Sequence, residues 1–242
     1  MIDIHCHILP RLDDGAFSLD ESRIMAEDAY ACGTRGIVCT PHSGPYLAEE
    51  LVSTFLELKN HLKTFDVPIE LYLGQEIYLT ENYAMQIRDV AGGYPVTING
   101  TDYALVEFIP DAHSRILRHS VELLRAEGII PIIAHPERYG AIVEDVYLAD
   151  RLKASGALLQ LNKGSLRGAF GHYARMTASY LLDERMADFV ASDAHSPYER
   201  TTKLREVHAF ISEQYSIDYA DLLLEKNPAR VIEGKEILSC NY

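Results

Sequence analysis

Short apolar runs alternate with amphipathic stretches along the whole chain. The runs fall at about residues 2 to 5, 36 to 40, 68 to 74, 102 to 108, 129 to 134, 157 to 161 and 187 to 191, lengths that suit buried strands. Between them, polar and apolar positions follow a helical period with recognisable ends. Ser18-Leu19-Asp20-Glu21 reads as a capping box ahead of Ile24, Met25 and Ala29, with Gly33 as a stop. Residues 114 to 127 and 144 to 155 predict two more helices, which end at Gly128 and Gly156 and each feed a new apolar run. Asn99-Gly100 is a hairpin signal, predicting that residues 94 to 98 pair with the strand that starts near Asp102.

Seven strands alternating with helices imply an α/β fold with a mostly parallel sheet, either open and doubly wound or closed into a barrel. In both, chemistry sits at the strand C-termini. The first strand leads to His5, His7 and Asp14, the second to Thr40-Pro41-His42, the third to Gly74-Gln75-Glu76. The fourth ends at Glu107 and the fifth at His135; the sixth is followed by Asn162 and Lys163, the seventh by Asp193 and His195. Six of the seven strands thus bring a metal-ligand side chain to one rim. An open sheet would scatter them about a switch point, so the ring favours a closed barrel.

Composition narrows the class. The 242 residues fit one α/β barrel, expected to form a single domain over 1–242, and 48% hydrophobic with 24% charged residues is ordinary for a soluble enzyme. The N-terminus lacks a basic region followed by a long apolar run, and no stretch approaches the roughly 20 apolar residues that span a bilayer, so a cytoplasmic location without membrane insertion is expected. Cys6, Cys32, Cys39 and Cys240 show no paired spacing and are expected to be reduced. A net charge of −14 without a basic tract argues against nucleic acid. It also repels anionic substrates, unless bound divalent metals supply local positive charge.

The candidate positions differ in strength. His5 and His7 lie two apart on an extended segment and project to one side, which suits a shared ion. Glu76 and Glu107 close apolar runs, where a carboxylate is costly unless paired or metal-bound. His135 sits between Ala134 and Pro136, and Asp193-Ala194-His195 mirrors the N-terminal pair. Asp14 is the weakest, since Asp13-Asp14-Gly15 also reads as a turn. His61, His113, His119, His172 and His208 read as solvated helix or loop residues. Among the tyrosines, Tyr46, Tyr139 and Tyr198 fall near the rim.

Taken in order, His5-Cys6-His7-Ile8-Leu9-Pro10, Asp13-Asp14-Gly15-Ala16, Thr40-Pro41-His42, Ala134-His135-Pro136-Glu137-Arg138-Tyr139 and Ser192-Asp193-Ala194-His195 resemble the polymerase-and-histidinol-phosphatase (PHP) superfamily. More narrowly, they resemble the bacterial manganese-dependent protein-tyrosine phosphatases encoded with capsule and exopolysaccharide genes. The resemblance runs from residue 1 to about residue 233. It implies a distorted (β/α)7 TIM-like barrel holding three divalent metal ions, with manganese favoured over iron, zinc or magnesium. By the same resemblance His5, His7, Glu76 and Asp193 surround one ion, Glu76 bridges to a second with Glu107 and His135, and Asp14, His42 and His195 hold a third. Four carboxylates against three divalent ions leave about +2, enough to draw in phosphate. Arg138 and Arg200 match family arginines that contact the phosphoryl group, for which a planar guanidinium is suited.

The activity so implied is hydrolysis of phosphotyrosine, on the tyrosine cluster of a membrane-associated capsule or exopolysaccharide autokinase. A metal-bridging hydroxide would attack phosphorus without a covalent enzyme intermediate. Phenolate, from a group with a pKa near 10, leaves readily, so any general acid can be weak. The cysteine-nucleophile class of tyrosine phosphatase is excluded, because it needs an arginine six residues after the cysteine and this chain has Leu12, Val38 and Pro45 there, while Cys240 is too near the end. Two alternatives stand: a phosphoesterase acting on a small monoester such as histidinol phosphate, and a non-catalytic metal-binding regulator. The chain departs from the family pattern at Arg11, in place of a glycine, at Ser43, in place of a second histidine, and at Lys163, in place of a small residue. Arg11 and Lys163 add positive charge near the rim.

Overall fold

The computed structural model describes residues 1–239; Cys240 lies outside them. Eight strands are formed among the described residues: β1 Ile2–Cys6, β2 Gly36–Cys39, β3 Glu70–Leu73, β4 Glu76–Leu79, β5 Tyr103–Phe108, β6 Ile130–Ala134, β7 Leu158–Asn162 and β8 Phe189–Ala191. Their pairings are all parallel, in the orders β1-β2-β3 and β4-β5-β6-β7-β8. Seven strands match the predicted runs to within a residue or two. The eighth is β4, a four-residue segment only two residues beyond β3, with no helix between them. The chain therefore still makes seven β/α units, the third having its strand broken at Gly74-Gln75.

The regular ladders do not close the ring, but single bridges join the two sheets at both seams. Cys6 bridges Ala194 and His42 bridges Glu76. At the first seam Asp193 N donates to His5 O and His7 N to Ala194 O, each at 2.9 Å. At the second, Glu76 N donates to Pro41 O at 3.0 Å and Ser43 N to Glu76 O at 2.8 Å. One buried cluster draws Ile4 and Val38 from the first sheet together with Tyr103, Leu105, Ile132, Ala134, Phe189 and Ala191 from the second. The intervening residues Ala104, Val106, Phe108, Ile133 and Val190 pack outward with the helices. This period-two division between an interior and an outer shell makes the fold a distorted barrel.

The outer helices are α1 Leu19–Ala31, α2 Ala48–Thr64, α3 Tyr83–Ala91, α4 Ser114–Ala126, α5 Gly140–Glu144, α6 Tyr147–Ala154, α7 Lys163–Leu166, α8 His172–Asp183, α9 Arg205–Gln214, α10 Ile217–Asp221 and, after a π-helical turn at Leu222–Lys226, α11 Asn227–Ile232. Ser18 caps α1 by accepting from Glu21 N at 3.2 Å, and the Glu21 carboxylate accepts from Phe17 N at 2.9 Å. After α4 and α6 the chain turns back through Gly128 and Gly156 at φ 81° and 94°, a backbone region open to glycine.

One local prediction holds in shortened form and one fails. The expected helix over 144 to 155 forms as α6, Tyr147–Ala154, starting later than expected because Asp145, which ends α5, leaves helical geometry at φ −137° and ψ 87°. The expected hairpin does not form. Ile98–Gly100 is a 3₁₀ turn, Val96 N donates to the side chain of Gln75, and Asn99 Nδ2 reaches Ile232 O. The edge of β5 that a hairpin would occupy is taken by β4.

Candidate metal centre

The N-terminal strand carries a register slip. Ile2 and Asp3 pair with Gly36 and Ile37, but Cys6 pairs with Cys39, so β1 holds one extra residue. The slip changes the phase of the strand. Ile4 packs in the barrel interior, whereas Cys6 packs outward beside Cys39. His5 and His7, on the side opposite Cys6, both turn into the rim, where their Nε2 atoms lie 3.2 Å apart. Burial pushes the thiols of Cys6 and Cys39 well up, and neither faces the cluster.

The histidine tautomers can be read from their partners. Gln160 Nε2 donates to Leu161 O, which turns its Oε1 toward His5 Nδ1 at 2.7 Å. His7 Nδ1 meets Asp13 Oδ2, also at 2.7 Å. Both acceptors lack a proton, so each Nδ1 carries a hydrogen and each Nε2 is the atom turned to the cluster, able to offer a lone pair once a cation displaces any proton there. Glu76 Oε2 lies 3.2 Å from both Nε2 atoms and Asp193 Oδ1 3.5 Å from both. Two ring nitrogens and two carboxylate oxygens converging in a buried space compete for the same few protons, a demand that a cation among them would meet. Outer partners that fix ring orientation in this way are those of metal-bound histidines. The residues present fit a divalent ion.

The other candidates extend the same cluster. His42 Nδ1 lies 3.1 Å from Glu76 Oε2 and 3.5 Å from Glu107 Oε2, and its Nε2 lies 3.5 Å from Asp14 Oδ1. His135 Nε2 stands 3.0 Å from Glu76 Oε1 and 3.5 Å from Glu107 Oε1. His195 donates Nδ1 to Asp193 O and brings Nε2 within 3.4 Å of Asp14. Three sets of donor atoms are close enough to share an ion: His5, His7 and Asp193; His42, Glu76 and Glu107; and His7, Asp14, His42 and His195. With His135, which joins through Glu76 and Glu107, all nine candidate residues meet at one rim. The grouping differs from the expected partition: His7 and His42 each belong to two neighbourhoods, Glu76, expected to bridge two ions, belongs to one, and His135 belongs to none. Glu76 also opens β4, where the third strand was expected to end in it.

Two of these residues hold unusual backbone. His135 has φ 34° and Asp193 φ 49°, in the left-handed region that side chains other than glycine disfavour. By the alternation along β6, His135 would face the helices, and the turn at φ 34° brings it to the rim instead. Electrostatics carry the same signature. Burial, and then the Glu76 carboxylate, push Glu107 up to about 8. Burial depresses His7, but hydrogen bonds to Asp13 and Glu76 outweigh it and hold the ring at about 10. Burial, followed by the neighbouring His7 ring, lowers His195 to about 4. Crowded acceptors competing for protons are what cations would relieve.

Asp193 faces two ways. Its Oδ1 points at the histidines, while Oδ2 accepts from Asn162 Nδ2, pairs with Arg200 and lies 3.5 Å from Arg138 Nη1. Both arginines border the cluster and remain partly exposed. Asp13, Gln160 and Asn162 were not among the candidate residues. Gln160 and Asn162 were legible as polar positions two apart in an otherwise apolar strand. Asp13 was hidden in a turn motif, yet it holds both His7 and His42 N, the latter at 2.8 Å. Gly15 closes this loop against β1, and a Cβ there would lie 2.2 Å from His7 O.

The departures from the family pattern have structural explanations. Arg11 sits at φ 66°, a position open to glycine, and pairs with exposed Glu57 at 3.0 Å. Lys163 Nζ donates to the carbonyls of Thr201 and Lys203, so it anchors that loop. Ser43 Oγ accepts from Tyr78 N at the second seam. Of the three tyrosines, Tyr139 is buried and accepts from Phe108 N, Tyr46 donates to His42 O, and Tyr198 is exposed. The remaining histidines stay outside the cluster: His113 caps α4, His119 meets Tyr83, His208 meets Asp221, His61 stacks near Phe65 and His172 near Tyr173.

Comparison with known proteins places the chain in a family. The family model for capsular polysaccharide synthesis, CpsB/CapC, matches residues 1–233. The chain belongs to this family. It is 35% identical over 229 residues to tyrosine-protein phosphatase YwqE of Bacillus subtilis strain 168, covering 93% of this chain and 89% of that protein. It is 29% identical over 241 residues to tyrosine-protein phosphatase CpsB of Streptococcus pneumoniae, covering 96% and 98%. A crystal structure from work on these two proteins, described as unique metal-dependent tyrosine phosphatases, superposes with a TM-score of 0.91 at 32% identity over 99% of this CpsB/CapC chain and 97% of that one. The phosphotriesterase homology protein of Escherichia coli, at 11% identity and a TM-score of 0.62, shares the fold. No helix among the described residues is long and apolar enough to cross a membrane.

Proposed function

We propose that this chain is a metal-dependent protein-tyrosine phosphatase, with His5, His7, Asp14, His42, Glu76, Glu107, His135, Asp193 and His195 as ligands of three divalent ions, manganese by preference. The observation that carries the reading is the convergence of imidazole and carboxylate donors from both sheets, with two arginines at its border. Kinship with YwqE and CpsB supplies the substrate class. Divalent ions held there supply Lewis-acid polarisation of phosphoryl oxygens and water acidic enough to act as a nucleophile near neutral pH. Imidazole and carboxylate donors accept several divalent metals, so availability decides among them.

The protein's own groups do the rest. Asp13 and Gln160 hold His7 and His5 with Nε2 turned to the cluster. Arg138 and Arg200 bind the phosphate oxygens and stabilise charge as the phosphoryl group transfers. Among the described residues no thiol takes part: Cys6 and Cys39 are buried away from the rim, and Cys32 lies at the C-terminal end of α1. The protein substrate is a tyrosine-phosphorylated chain, for which the autokinase of a capsule locus is the natural candidate.

Turnover of a phosphotyrosine peptide and of histidinol phosphate, with manganese and after chelation, tests this reading. Manganese-dependent hydrolysis of the peptide in clear preference to histidinol phosphate is expected. Activity that survives full metal removal and dies on thiol alkylation would overturn the mechanism, and inactivity on both substrates with metal fully loaded would leave a regulator.

A further inference from the structure

Phe170 follows the short helix α7, is partly exposed and, among the described residues, belongs to none of the three apolar clusters that form the core. Its neighbours are the two arginines. The guanidinium carbon of Arg138 lies 4.6 Å from the ring centroid and that of Arg200 5.7 Å, both within the reach of a cation–π attraction. The two residues reach this ring from different elements, Arg138 from the turn after β6 and Arg200 from the loop after β8. The ring's own position is set by Gly164 in α7, where a Cβ would stand 2.8 Å from Phe170 Cε2.

We infer that Phe170 is a positioning residue for phosphate: its ring aligns Arg138 and Arg200 as a pair. The inference rests on the reading that these arginines bind the phosphoryl group. Its physical logic is preorganisation. Asp193 Oδ2 alone would draw both guanidiniums toward the metal ligands, leaving each free to swing once phosphate competes for it. A shared aromatic ring attracts both cations without neutralising them and without taking up the N–H groups needed for phosphate oxygens. Ordering two flexible side chains before the substrate arrives removes part of the entropy cost of binding.

The test uses the manganese-loaded protein, with p-nitrophenyl phosphate as substrate and inorganic phosphate as competitive inhibitor. Phe170→Leu keeps apolar bulk and removes the ring, while Phe170→Tyr keeps the ring. Phe170→Leu is expected to raise KM and the phosphate inhibition constant together by about fivefold or more, with kcat changed less and metal content unaltered, while Phe170→Tyr stays near the parent. Gly164→Ala, which displaces the ring without altering it, is expected to reproduce the Phe170→Leu effect and serves as the second measurement if Phe170→Leu lowers the melting temperature sharply. An unchanged inhibition constant in Phe170→Leu and Gly164→Ala, or equal losses in the Leu and Tyr variants, would overturn the inference. Arg138→Ala and Arg200→Ala are run in parallel: if phosphate affinity is insensitive to both, the assignment of the arginines fails, whereas sensitivity to them alone defeats only the role of Phe170.

Discussion

At the scale of single residues, the centre depends on lone pairs being aimed as well as present. His7→Ala or His5→Ala removes a donor directly, and each is expected to lose metal and phosphatase activity together while circular dichroism reports an intact fold. Asp13→Ala leaves all nine candidate ligands in place but frees the His7 ring and His42 N from a shared carboxylate. Loss of such an outer partner lowers metal affinity by roughly 10- to 100-fold, so titration with manganese should give weakened but saturable binding. Equal affinity in parent and Asp13→Ala would mean that the loop serves only as a turn. Cys6→Ser is the matched control. Its side chain faces the outer cluster, so it should bind metal normally and lose only packing stability.

At the scale of elements, the N-terminal strand and its neighbour decide where those donors go. The slip between Asp3 and Cys6 is held by Thr40, whose N donates to Cys6 O and whose hydroxyl accepts from Cys6 N, both at 2.9 Å. Thr40→Val keeps the shape and strands a buried amide, at a cost of about 1–3 kcal/mol. Thermal melts and manganese titration should show both lower stability and weaker metal binding, with Thr40→Ser near the parent. A stability loss without any change in metal affinity would separate the slip from the site. The same strand shows what the sequence could and could not convey. His5 and His7 were legible as a pair because period two is a property of any strand, but the slip that turns them inward is a tertiary event with no local signal. Glu107 and Asp193 were legible where apolar runs stop. β4 was missed because Glu76-Ile77-Tyr78-Leu79 follows β3 too closely to register as a separate run, and it gains its identity only by pairing with β5. The Asn99-Gly100 signal was genuine turn chemistry, since Asn99 does adopt φ 50°, but the preceding segment was claimed by Gln75.

At the scale of the whole molecule, the candidate ligands bind two sheets that the backbone joins only at single bridges. His5, His7, Asp14 and His42 arise from the first sheet and its loops, while Glu76, Glu107, His135, Asp193 and His195 arise from the second. Ions at this rim would cross-brace both seams, so loading and stability are linked. One ion at 100 times its dissociation constant contributes about 2.7 kcal/mol. For a chain of this size each kcal/mol moves the melting temperature by about 2–4 °C, so complete chelation should lower it by at least about 5 °C. The loss should also be local before it is global. Hydrogen exchange after chelation should accelerate first at the amides of His7, Ser43, Glu76 and Asp193, which carry the seam hydrogen bonds, while amides between β5 and β6 stay protected. Uniform acceleration across both sheets would mean that the ring is held by its core alone, and an unchanged melting temperature would mean that these donors hold no ion in the folded protein.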